Sequence, residues 1–128
     1  MVEEANNEIR KFRQSLKHAG SGLKYVLVNE RNFQIEIVIA FFVIILILIF
    51  KVKNWEAVIL VLMIMWVLIT ELTNTVFERV VDILKPRVHP YARLIKDIMA
   101  TVVLISSTVA LIIGVIIFYP YFREFFIK

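Results

Sequence analysis

Apolar side chains fall into three long blocks separated by short polar stretches. Residues 37–50 form an uninterrupted apolar run of 14 positions. A helix needs about 20 residues to cross a hydrocarbon core, so the first span has to recruit polar-flanked residues 33–36. The second run, residues 57–69, stops at Thr70 and Glu71, and its helix must carry charged side chains to finish crossing or to leave the membrane. Residues 98–119 hold no charge over 22 positions, enough to span with some tilt, and Pro120 supplies an end for that helix.

Ahead of the first span, Ile9, Phe12, Leu16, Ala19, Leu23 and Leu27 recur at steps of three and four. Arg10, Lys11, Arg13, Lys17 and Lys24 mostly occupy the other faces, a pattern that predicts an amphipathic helix on the membrane surface. Gly20 and Gly22 leave room for a break in it. Pro86 ends the second helix at or before Lys85, and Pro90 suits the first turn of the next. The pattern therefore predicts an all-α membrane protein with one domain over residues 1–128. Its surface helix covers about residues 5–29, and its spans cover about 33–52, 55–84 and 92–119.

Composition agrees with a bilayer setting, since 60% of the 128 residues are hydrophobic and the mean hydropathy is +0.81. The chain has no cysteine, which excludes disulfides, thiolate metal sites and a cysteine nucleophile. No cleaved signal peptide is expected, because the first 33 residues carry 6 Lys and Arg and no continuous apolar core. Lys and Arg number 6 before the first span, 2 around residues 51–56, 5 from residue 79 to 96 and 2 in the tail. That bias predicts a cytoplasmic N-terminus and an external C-terminus, with Trp55 and the aromatic group at residues 118–122 at the outer interface. Basic residues placed this way set topology, and nucleic acid is not an expected partner.

The chemistry gathers at the predicted cytoplasmic boundary. At about 100° per residue, Glu71, Asn74, Thr75, Glu78 and Asp82 share roughly a third of one helix circumference. Each exposed carboxylate at depth costs a few kcal/mol, so this face has to meet protein, water or a cation. For Asp82 alone, a helix simply leaving the membrane accounts for the charge; for Glu71, directly after the apolar run, a functional role is favoured. Glu30 and Glu36 bracket the start of the first span on the same side, so two helices can offer hard oxygen ligands suited to Mg²⁺. The competing readings are an ion pair with Arg31 for Glu30, and an interhelical or snorkelling role for Glu36.

Lys96 and Asp97 open the third span behind Arg87, His89 and Arg93, which completes a mixture of charges able to hold a polyphosphate with its metal. Arg87 and Arg93 fit ordinary positive-inside flanking, and His89 by itself fits a loop or cap residue. With His18 and His89 as the two histidines, zinc is disfavoured. The three glycines form neither a P-loop nor a dinucleotide fingerprint, so a phosphate site has to rest on side chains and metal.

The segment Glu71-Leu72-Thr73-Asn74-Thr75-Val76-Phe77-Glu78, followed by Asp82, His89-Pro90 and Lys96-Asp97, resembles the prokaryotic diacylglycerol kinase family of small three-span enzymes. Leu16, Ala19 and Gly22, then Glu30-Arg31-Asn32-Phe33, extend the resemblance from about residue 9 to residue 118. The Glu-Arg-Asn-Phe and His-Pro pieces look more like the branch acting on undecaprenol than the branch acting on diacylglycerol. The resemblance implies a homotrimer with shared active sites that phosphorylates a membrane lipid alcohol with Mg²⁺ and ATP. It matches Glu71 to the catalytic base and Glu30 with Glu78 to the metal ligands. Asn74, Asp82, Lys96 and Asp97 match further active-site positions, with Lys96 at the ATP phosphates. It matches His89 to a position near adenine and implies that the surface helix, with Lys11 and Ala19, closes over the nucleotide, while Glu36 and Thr75 are candidates for supporting the site or its lipid.

Two departures stand out: Val76 and Phe77 replace smaller or aliphatic residues, and Ile98-Met99-Ala100-Thr101 is bulkier than the family's run after Lys-Asp. The rival from another class is a small proton-coupled transporter, for which a membrane carboxylate such as Glu71 is also typical. A transporter calls for charges near the midplane, whereas these residues collect at one boundary.

Overall fold

The computed structural model describes residues 1–84 and 90–127, apart from the side chains of Val2, Ala5 and Pro90. The described residues form four helices: α1 (Val2–Asn29), α2 (Arg31–Phe50), α3 (Asn54–Leu84) and α4 (Pro90–Phe126). The last three are long and apolar enough to cross a membrane, with mean hydropathies of 3.0, 2.1 and 2.7 over their most apolar windows. Helix α3 is the middle of the assembly, packing against both α2 and α4, while α1 leans on α2.

Helix α1 runs unbroken through Gly20 and Gly22, so the flexibility of these residues does not interrupt it. It ends at Glu30, whose extended backbone (φ −108°, ψ 105°) turns the chain into α2. The corner is fastened by its own polar groups. The Glu30 backbone N–H donates to the Val26 carbonyl at 2.9 Å, and Gln34 Nε2 donates to the Leu27 and Val28 carbonyls at 2.9 and 3.2 Å. Gln34 thus satisfies acceptors that the end of α1 would leave open. Phe33, 2% exposed, fills the space beneath.

The opposite end of the bundle holds the apolar core, where Val52, Leu60, Ile117 and Phe118 are buried together with Phe50 and Tyr121 packed against them. Glu56 is buried there as well, accepting from the Lys53 N–H at 3.1 Å and from the Tyr121 hydroxyl. A carboxylate three residues into α3 that accepts from the preceding backbone N–H is half of a capping box, and Tyr121 ties the same group to α4.

Helix α4 does not end at Pro120; it continues to Phe126 with the proline inside it. The missing N–H falls in the last two turns, and Phe50 holds that end in place. Its ring centroid lies 6.2 Å from Tyr121, 4.8 Å from Phe122 and 6.1 Å from Phe125. Thirty-seven residues make α4 about 55 Å long, more than a hydrocarbon core requires, so both of its charged ends project from the apolar zone. The outward faces of α2, α3 and α4 carry exposed Phe41, Leu48, Leu62, Leu104 and Leu111, an apolar coat suited to lipid or to neighbouring helices.

Candidate functional site

The polar face of α3 is held against the α1–α2 corner. Glu71 is 3% exposed, and Asn74 and Thr75 are 6% exposed, so burial here falls on the polar residues rather than on the apolar ones beside them. Val76 and Phe77 point away and are exposed at 60% and 45%. Asn32, Glu30 and Glu78 neighbour the Glu71 carboxylate, and Glu36, one turn further along α2, feels its charge. Asn74 Nδ2 donates to Glu78 Oε1 at 3.4 Å, which aligns two successive turns of α3. Glu71, Asn74, Thr75, Glu78, Glu30 and Glu36 thereby belong to one neighbourhood built from α3 and the start of α2.

Three oxygens in that neighbourhood are buried and accept no hydrogen bond: Glu36 Oε2, Glu71 Oε2 and Asn74 Oδ1. Each such atom forfeits about 1–3 kcal/mol, and more when charged, so the cluster is suited to a proton, a cation or a donor that comes with a ligand. Glu36 also lies at one end of an apolar groove of about 570 Å³ between α2, α3 and α4, lined by Ala40, Leu60, Ile64 and Gly114 and reaching Tyr119 at the far end.

Two interhelical ion pairs rim the cluster. Arg79 Nη2 donates to Glu30 Oε1, joining α3 to the corner, and Lys96 Nζ donates to Asp82 Oδ1 at 2.6 Å, joining α4 to α3. Glu30 therefore takes Arg79, 49 residues away, as its partner rather than its neighbour Arg31. Arg79 and Asn32 are the residues that pattern reading left out. Asn32 sits inside the Glu-Arg-Asn-Phe segment, which was a signal for it, while Arg79 counted as one more flanking charge.

The remaining predicted residues stand apart from these contacts. Asp97 is exposed and its backbone carbonyl accepts from Thr101 Oγ1 at 2.8 Å. Lys11 pairs with Glu8 on its own helix at 2.8 Å, and Ala19 is exposed on α1. Arg87 and His89 lie outside the described residues.

As a fit for Mg²⁺, the donor set is apt: hard oxygens of Glu30 and Glu78 come from two different elements beside Glu71. Among the described residues, no group of three or more His, Asp or Glu is arranged to enclose a metal. Two carboxylates without a cage suit a cation that arrives with phosphate oxygens and keeps part of its water.

The model of the family described as prokaryotic diacylglycerol kinase matches residues 17–118, a stretch containing every residue of the Glu71 cluster and both ion pairs. Over 114 residues the chain is 35% identical to an undecaprenol kinase of Bacillus subtilis, covering 89% of this chain and 93% of that protein. Over 101 residues it is 32% identical to a diacylglycerol kinase of Synechocystis, covering 78% of this chain and 58% of that longer protein. With most of its length matched and its acidic face set on the second of three membrane helices, the chain belongs to the prokaryotic diacylglycerol kinase family.

Proposed function

We propose that this protein transfers the γ-phosphate of ATP to the hydroxyl of a membrane lipid, undecaprenol in the first place and diacylglycerol in the second. The observation that carries the reading is a buried, unpartnered Glu36 oxygen at one end of an apolar groove, in the same cluster as the unpartnered Glu71 oxygen. A lipid alcohol has the matching form, a single hydroxyl on a long hydrocarbon tail. The higher identity and fuller coverage of the undecaprenol kinase favour that lipid. The transporter reading is weaker, because among the described residues the buried oxygens without a partner gather at one end of the spans, and Glu56 at the other end is tied to Tyr121 and Lys53 beside an apolar core.

In this reading Glu71 accepts the hydroxyl proton as the lipid oxygen bonds to the γ-phosphorus, and the bond from that phosphorus to the bridging oxygen of ADP breaks. Asn74, beside it, orients the hydroxyl or a phosphate oxygen through its open Oδ1 side and amide. Glu30 and Glu78 hold Mg²⁺, which when bound neutralises phosphate charge. Lys96 leaves Asp82 for the phosphates, and Asp97 and His89 support the nucleotide. Glu36 and Thr75 serve the lipid side, while Lys11 and Ala19 on α1 cover the nucleotide. The working unit is a homotrimer in the cytoplasmic membrane, N-terminus inside and C-terminus outside, in keeping with the distribution of Lys and Arg.

The test is phosphate transfer in mixed micelles from labelled ATP, with undecaprenol and diacylglycerol run side by side. Transfer that depends on Mg²⁺, with undecaprenol the better acceptor, is the expected result. Folded protein that labels neither lipid contradicts the proposal.

A further inference from the structure

Arg79 sits on the carboxylate that the proposed function gives to a cation. Its guanidinium donates to Glu30 and lies 6.0 Å from the centroid of the Tyr25 ring on α1, with Asp82 one turn further along its own helix. The two partners are unequally exposed: the Glu30 side chain is 18% accessible and that of Arg79 52%. The carboxylate thus projects from a corner whose backbone is fixed by the Glu30 N–H bond to Val26 and by Gln34, and the guanidinium covers it from the solvent side. A divalent ion and a guanidinium on the same carboxylate oxygen repel each other and compete for its lone pairs, so occupation by one disfavours the other.

We propose that Arg79 is a positioning residue that holds the Glu30 carboxylate while the nucleotide site is empty and competes with the incoming divalent cation for it. The inference rests on Glu30 being a cation ligand, as argued under the function above. Because the same guanidinium packs on Tyr25, its departure also loosens the end of α1 from α3, which couples cation entry to the helix that precedes the corner.

The experiment titrates the full chain in detergent micelles with Mn²⁺ in the presence of a non-hydrolysable ATP analogue, reading bound Mn²⁺ by electron paramagnetic resonance. Arg79→Gln should lower the half-saturating Mn²⁺ concentration by about three- to tenfold, and Arg79→Lys, a weaker partner for a carboxylate, should fall between it and the parent. Glu30→Gln should weaken Mn²⁺ binding and erase the difference between Arg79 and Arg79→Gln, a coupling that loss of fold alone would not produce. Thermal melts identify any variant that fails to fold, in which case Arg79→Lys carries the comparison. Unchanged or weaker Mn²⁺ binding in the Arg79 variants, with Glu30→Gln still impaired, overturns the competition. Unchanged Mn²⁺ binding in Glu30→Gln instead removes the ligand assignment itself, and the competition falls with it.

Discussion

Lys96 at the start of α4 donates to the Asp82 carboxylate on α3 at 2.6 Å, and both side chains keep substantial exposure, 37% and 55%. An ion pair this open contributes at most about 1 kcal/mol to stability. Its conservative explanation, holding two helices together, therefore predicts little. If Lys96 serves the phosphates, Lys96→Ala should raise the KM for Mg-ATP about tenfold or more and shift the thermal midpoint in micelles by only a few degrees. Steady-state kinetics beside a melting curve separate the two roles.

The Glu56–Tyr121 contact at the other end should behave in the opposite way. Glu56 accepts from Tyr121 and from the Lys53 N–H, which also donates to the Tyr121 oxygen at 3.2 Å. Tyr121→Phe should cost about 1 kcal/mol of stability, and Glu56→Ala about 2 kcal/mol or more because a backbone donor loses its acceptor. Denaturation in micelles measures both, and the KM for ATP should not move.

A third prediction concerns backbone strain. Lys51 closes α2 with φ 47° and ψ 50°, a left-handed conformation that costs a residue with a Cβ about 1–2 kcal/mol. Lys51→Gly should raise the stability of the folded chain by about 1 kcal/mol, offset in part by the greater freedom of glycine in the unfolded state. A higher thermal midpoint with unchanged transfer activity is the expected outcome.

These contacts mark how far the sequence could be read. Continuous apolar runs locate three spans because a bilayer imposes a length on each of them, and the helical repeat puts Glu71, Asn74, Thr75 and Glu78 on one face without any tertiary information. The tie between Glu56 and Tyr121 joins positions 65 residues apart, and Glu30 reaches Arg79 across 49, separations at which local pattern carries no signal. Glu30 was legible as a candidate ligand but its partner was not: Arg31 is adjacent in sequence, yet Arg79 on the packed helix faces the carboxylate. Pro120 misled for a related reason. A proline near the end of an apolar run reads as a stop, yet the helix goes on, with Phe118, Tyr121, Phe122 and Phe125 packed around Phe50.

The account turns on Glu71 acting in the chemical step rather than in holding nucleotide. The most direct measurement is labelled-phosphate transfer by Glu71→Gln, set beside nucleotide binding by the same preparation, with Glu78→Gln as its counterpart. Loss of a positioned base should lower turnover of Glu71→Gln by about 10²- to 10⁴-fold with nucleotide affinity changed by less than about threefold, while Glu78→Gln weakens Mg-ATP binding. Glu71→Gln that turns over at the parent rate, or that fails chiefly through lost nucleotide binding, would contradict it.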